Sequence, residues 1–371
     1  MNNNETFYNK IYIICTSLKF YGLILIMFLT IGIGPGYPGI RNYLIESGVY
    51  SNLCKNNTNN CKEQLTKLDN VANLSLTLLN ATTLIGGIFV DILGNKLTGI
   101  IGMILWIISM SISGLNPKIG INWEIGFLIY NIASILVFFP TLFLYIPSIF
   151  KNNTSVIACA LAIITGIWDL SGMALTLLSD LINALDNKPS IQTVFILYGT
   201  VFGGLSLIYI IYNFGYKEDN QSNNQNNNNT ICQNIKNQFI STRYYLSNII
   251  YWAYVFNTII VVTYGYFFIA QLTLYLEWKG LNQDDIITYN HNFTYLFAII
   301  GCITSILMGL SLLGGDESKN ILFLIIVEFI SALSMSTGIY LPSTLPIKLQ
   351  YLTFVFFIIW RITGFTFVNS T

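Results

Sequence analysis

Ten apolar runs, each long enough to cross a lipid bilayer, fill most of this chain. They lie at about 19–45, 68–92, 97–115, 122–150, 154–185, 190–214, 244–277, 289–313, 318–340 and 347–369. An α-helix rises about 1.5 Å per residue, so roughly 20 apolar residues match the hydrocarbon core. Lipid offers no hydrogen-bond partner to a peptide group, and a helix satisfies its own backbone. Only 9% of the 371 residues are charged, whereas soluble domains carry about a quarter. Mean hydropathy is +0.61. The implied fold class is an all-α polytopic membrane protein.

Several functions are disfavoured by composition. Lys and Arg number 17, as do Asp and Glu, and no long basic stretch is present, so nucleic acid finds nothing to hold. His291 is the only histidine, and the six cysteines are scattered without zinc-site spacing. No metal site, cofactor or catalytic Cys/His or Ser/His pair is expected, and the chain does not read as an enzyme. The N-terminus, MNNNETFYNKIYIICTSLKF, lacks the pattern of a cleaved signal peptide. The first spanning helix is expected to act as the uncleaved insertion signal.

A polar, Asn-rich insert, YKEDNQSNNQNNNNTICQNIKNQ, separates six apolar runs from four. Low complexity and poor apolar content mark it as a linker. The expected organisation is an N-terminal segment 1–18, a six-helix bundle 19–214, a linker 215–243 and a four-helix bundle 244–371. Basic residues in the loops divide eight against eight, with Arg41 counted in a loop, so they leave the orientation undecided. The first loop, VYSNLCKNNTNNCKEQ, holds Cys54, Cys61 and the glycosylation sequon at Asn56. Both features suit an exterior face, and the two cysteines either pair or stay free. Asn292-Phe293-Thr294 is a second sequon expected on that face.

Within the first run stands GPGYPGIRNYLIESGVYSNLC, with Gly34, Pro35, Gly36, Pro38 and Gly39 in its first six positions. Each of these weakens a helical ladder. Either the helix bends here, or it exposes backbone to something wetter than lipid. Arg361 and Asp169 lie near the centres of the last and fifth runs. An arginine at that depth costs about 2.5–3.5 kcal/mol on insertion scales and calls for a partner. Its guanidinium can hold a ligand carboxylate, a structural ion pair or an interface. Asp169 can receive an amino group, pair with Arg361, carry a proton or hydrogen-bond a neighbouring helix. Asp180 lies nearer water, and Glu328 is buried by position alone. Asn257, Tyr264 and Gln271 are the weaker polar candidates, on the aromatic-rich seventh run.

Between the second and third runs stands GGIFVDILGNKLTGIIG. Its skeleton of Gly87, Asp91, Gly94 and Lys96 resembles the helix 2–3 signature of the major facilitator superfamily, with Ile92 replacing the usual basic residue. A degenerate second copy is suggested by GLSLLGGDESKN. Gly36-Tyr37-Pro38, the stretch Gly48-Val49-Tyr50 with Cys54, GIWDLSG at 166–172 and the arginine-bearing LQYLTFVFFIIWRITGFTFVNST resemble one branch of that superfamily. This is the branch of facilitative large-neutral-amino-acid transporters and related apicomplexan amino-acid transporters.

The resemblance implies a twelve-helix bundle, of which ten helices, six plus four, are present and the last two are missing. It implies a cytoplasmic N-terminus, alternating access between two halves and gating at Gly87, Asp91, Gly94 and Lys96. Substrate contacts would come from Gly36, Tyr37, Pro38, Asp169 and Arg361. The implied function is transport of large neutral, aromatic or cationic amino acids across the plasma membrane, by a glycoprotein whose partners are that substrate and the bilayer. A carrier of another small solute, a non-transporting sensor and a truncated remnant are the alternatives.

Overall fold

The computed structural model describes residues 9–10, 12–54, 61–140, 145–150, 153–185, 189–214 and 272–313, with isolated positions at 247, 249, 252, 329, 355, 358 and 359. The longer elements are α1 (Leu18–Thr30), α2 (Ile33–Glu46), α3 (Lys62–Ser113), α4 (Ile121–Pro140), α5 (Ile146–Phe150), α6 (Thr154–Asn183), α7 (Ile191–Asn213) and α8 (Gln283–Leu313). A 3-10 turn, Ser51–Leu53, follows α2. No strand occurs among the described residues. Among the described residues, five helical stretches are long and apolar enough to cross a membrane: Ile85–Ser113, Ile121–Phe138, Thr154–Ile182, Ile191–Asn213 and Asp285–Leu310.

Side-chain caps set several starts. Ser17, Asn153 and Ser190 each accept from the backbone N–H three residues on, which satisfies one spare donor of the first turn. Lys62–Ser113 is two limbs, 62–93 and 95–113, joined at Gly94, whose φ of +80° no L-residue adopts cheaply. These limbs match the second and third expected runs. Within the fourth run, expected at 122–150, helix is described over Ile121–Pro140 and again over Ile146–Phe150. Apart from those isolated positions, the ninth and tenth runs lie outside the described residues, as do the linker and most of the seventh run.

Burial inverts the soluble pattern. On α7, Leu197, Val201, Leu205 and Ile208 recur at helical spacing and are each at least half exposed. The opposite face, with Phe195, Tyr198, Gly199, Gly203 and Ser206, is buried. An apolar stripe turned outward suits lipid, while the inward face mixes aromatic, small and hydroxyl residues. α8 repeats this with Ile299, Ile303 and Leu307 outward.

Three helices, α2, α6 and α8, pack through small residues. Along α2 the contacts run Gly32 to Ser171, Gly36 to Gly172 and Gly39 to Thr176, so α2 and α6 are parallel. Between α6 and α8 they run Gly166 to Cys302 and Ser305, and Cys159 and Ala162 to Gly309, so these two are antiparallel. α6 therefore carries α2 from the first six runs on one flank and α8 from the last four on the other.

Candidate functional site

The first expected helix is broken, but not at its glycine-proline stretch. Regular structure stops after Thr30 and resumes at Ile33. The interruption frees carbonyls that lipid cannot satisfy. The Thr30 carbonyl accepts from Trp106 Nε1 at 2.5 Å and from the Tyr130 hydroxyl at 2.9 Å. The Leu29 carbonyl accepts from the Tyr198 hydroxyl at 2.6 Å. These donors come from the second limb of α3, from α4 and from α7. An aromatic ring that also carries one polar atom is suited to this work inside an apolar bundle. The break is thus closed by protein side chains. The interruption therefore falls at Ile31–Gly32, ahead of the Gly34–Gly39 stretch where it is expected.

The glycines have a different role. A methyl group added at Gly32 would strike the Ser171 carbonyl, and one at Gly36 would strike that of Gly172. Gly39 meets the Thr176 side chain in the same way. Small residues let helix backbones touch, which replaces the hydrophobic driving force that lipid does not supply. Pro38 is accommodated inside α2, where its missing N–H leaves one rung open. α2 is therefore seated directly on the GIWDLSG stretch of α6.

Asp169 sits at the junction of these contacts. It is three residues from Gly166, which faces α8, and three from Gly172, which faces α2. Positions three apart lie on one side of a helix, so Asp169 falls between the two flanks. It is 3% exposed, and Cys302 of α8 lies within its electrostatic reach. Of the expected substrate contacts, Gly36, Tyr37, Pro38 and Asp169 all lie on these packed helices and are buried. Arg361 lies outside the described residues, as do Glu328, Asn257, Tyr264 and Gln271.

Arg41 reads from sequence as a loop cation; the structure places it inside α2, 3% exposed. Its Nε and Nη2 donate to the two carboxylate oxygens of Asp69 at 2.8 and 3.0 Å. The Tyr37 hydroxyl donates to the same Asp69 Oδ1 at 2.9 Å. A guanidinium engaged side-on by a carboxylate has its charge answered within the protein. Tyr37 is consequently turned toward Asp69 of α3. The signal that would reveal the pair is Asp69 within the same heptad-scale apolar stretch as Val71, Ala72 and Leu76, all buried.

At the turn joining the limbs of α3, Gly94 makes the bend expected of it. Asp91 is exposed and Lys96 half-buried. Thr98 Oγ1 donates to the Phe89 carbonyl at 3.1 Å, tying the two limbs across the turn. An added Cβ at Gly87 meets nothing within 4 Å among the described residues. Close approaches to a neighbouring backbone are made by other glycines, among them Gly32, Gly36, Gly114, Gly126 and Gly166.

At the opposite end of the molecule Cys54 and Cys61 form a disulfide. Tyr50 holds a left-handed conformation (φ 62°), and its N–H donates to the Pro117 carbonyl at 3.0 Å. Its ring fills the space beside Gly120, and its hydroxyl donates to Glu124, which also pairs with Lys67 at 2.8 Å. Burial and the Glu124 carboxylate push the Tyr50 phenol well above its ordinary pKa. Gln64 Nε2 adds a bond to the Val49 carbonyl at 2.7 Å. Loop, limb and α4 are thus fastened together. Asn56 lies outside the described residues; Asn292 lies inside α8. No protein-family model matches the chain, and no curated protein matches it.

Proposed function

We propose that this chain is an amino-acid carrier of the major facilitator type, working by alternating access between its first six and its last four runs. The observation that carries this reading is the α2–α6–α8 seam, where helices from both parts meet through small residues around a buried carboxylate, Asp169. Small-residue seams resist neither sliding nor tilting as interdigitated large side chains do. A buried intramembrane carboxylate serves readily as a substrate or proton site. The resemblance in GGIFVDILGNKLTGIIG and GIWDLSG supplies the substrate class, large neutral or aromatic amino acids, and the cytoplasmic N-terminus. Arg361 is assigned to the substrate carboxylate, Asp169 to the amino group, and Asp91, Gly94 and Lys96 to gating.

The test is uptake of labelled leucine, phenylalanine and arginine into vesicles reconstituted with the purified protein. The reading requires uptake that unlabelled amino acids compete away and that Asp169→Asn and Arg361→Ala both reduce at least tenfold. Competition by a nucleoside or sugar instead would identify another small solute. Binding without uptake would mark a sensor, and neither binding nor uptake would sink the proposal.

A further inference from the structure

Near the ends of α6 and α8, on the face that carries the Cys54–Cys61 disulfide, two side chains converge on one oxygen of a third. The Tyr295 hydroxyl donates to Asp180 Oδ2 at 2.6 Å. His291 Nε2 stands 3.6 Å from the same atom. The two rings, one helical turn apart on α8, meet edge to face with centroids 5.0 Å apart. The His291 and Asp180 side chains are 35% and 45% exposed, and Asp180 lies within one turn of the end of α6. This is the only histidine in the chain.

The geometry points to a proton-operated clasp between α6 and α8. At 3.6 Å the imidazole is too far for an ordinary hydrogen bond but well placed for a charge pair. Imidazole is the side chain that gains its charge between about pH 5 and 8. When neutral, His291 adds little, and Tyr295 alone holds Asp180. When charged, it attracts the carboxylate, closes the remaining gap and gives α6 and α8 a second tie.

Other charged or titratable groups lie at this end of the neighbouring elements. Glu46 closes α2, and Glu277 and Lys279 lie on the stretch 272–280 that precedes α8. Half-exposed pairs are worth little, so the effect is modest: about a two- to fivefold shift toward the closed pair. A disulfide belongs in an oxidising compartment, so this face meets a medium whose pH can differ from the cytosol.

The consequence for transport rests on the carrier reading: opening toward this face must part α6 from α8, so acid on this side would hold it shut. The clasp itself needs no transport to be observed. Hydrogen exchange of the full chain in lipid nanodiscs, followed by mass spectrometry, reports opening of residues 178–183 and 289–295. At pH 5.5 these amides should exchange about two- to fivefold more slowly than at pH 7.5, after correction for intrinsic rates. His291→Gln and Asp180→Asn should each abolish that difference. Tyr295→Phe should speed exchange at both pH values and keep the difference. A wild-type protein with equal corrected rates at both pH values, or a His291→Gln variant that keeps the difference, overturns the clasp. Failure of amino-acid uptake in vesicles would leave this result intact and count against the carrier alone.

Discussion

The doubly bonded Thr30 carbonyl allows a sharp test of how the broken first helix is held. Trp106 and Tyr130 donate to one oxygen from different helices. Removing one donor leaves the other in place, so Tyr130→Phe should cost only a single hydrogen bond, about 0.5–1.5 kcal/mol. Trp106→Phe loses the same and adds a term for lost volume. Removing both leaves a buried carbonyl without a donor, which costs about 1–3 kcal/mol beyond the separate losses. The double variant should therefore be worse than the sum by about 1–3 kcal/mol, a further factor of roughly 5–150 in the folding equilibrium. The volume term occurs in both the single and the double variants and cancels from the cycle.

The sign of the coupling matters most. The two rings also touch, with centroids 6.3 Å apart, and a direct ring contact would make the double variant milder than the sum. Unfolding in mixed detergent and dodecyl sulfate, followed by far-ultraviolet circular dichroism, gives all four free energies. Additivity within about 0.5 kcal/mol, or a milder double variant, would refute the shared-acceptor argument.

Further predictions concern packing and cross-links. Asp69→Ala should destabilise by about 3–5 kcal/mol because it strands the buried Arg41 charge, Arg41→Ala should cost less because Asp69 is part-exposed and keeps the Tyr37 hydroxyl, and replacing both by leucine should come close to wild type in the same assay. Gly36→Val should cost about 1–3 kcal/mol through overpacking against Gly172 and lower the yield of monodisperse protein on size-exclusion chromatography. Gly87→Ala, which meets open space, should be neutral or stabilise by up to about 1 kcal/mol. Cys54→Ser should lose about 2.5 kcal/mol, the chain-entropy value for a closed loop of this separation, with Cys61 becoming open to maleimide without prior reduction.

The helical membrane architecture is plain in the sequence because it follows from bulk hydropathy, and spans of about 20 apolar residues leave few alternatives. The caps at Ser17, Asn153 and Ser190 and the turn at Gly94 are equally local and fall close to the expected boundaries. Arg41 reads as a loop residue because position along a chain cannot reveal a partner 28 residues away. The break at Ile31–Gly32 is hidden for a similar reason. No breaker stronger than Gly32 occurs there, and the three donors that stabilise it come from three other helices. Conversely, Gly34–Gly39 looks like a kink in one dimension but proves to be a contact surface in three. The seat of Asp169 is visible only once the partners of Gly166 and Gly172 are known.

The fastening around Tyr50 has a mechanical implication. With the α2 exit, the entry to α3 and the α3–α4 connection clipped by a disulfide, a wedged ring and an ion pair, that end of the molecule forms a stiff slab. A displacement of α2 relative to α6 would then fall on the glycine track between them, where Gly32 and Gly36 bring the backbone of α2 against that of Ser171 and Gly172.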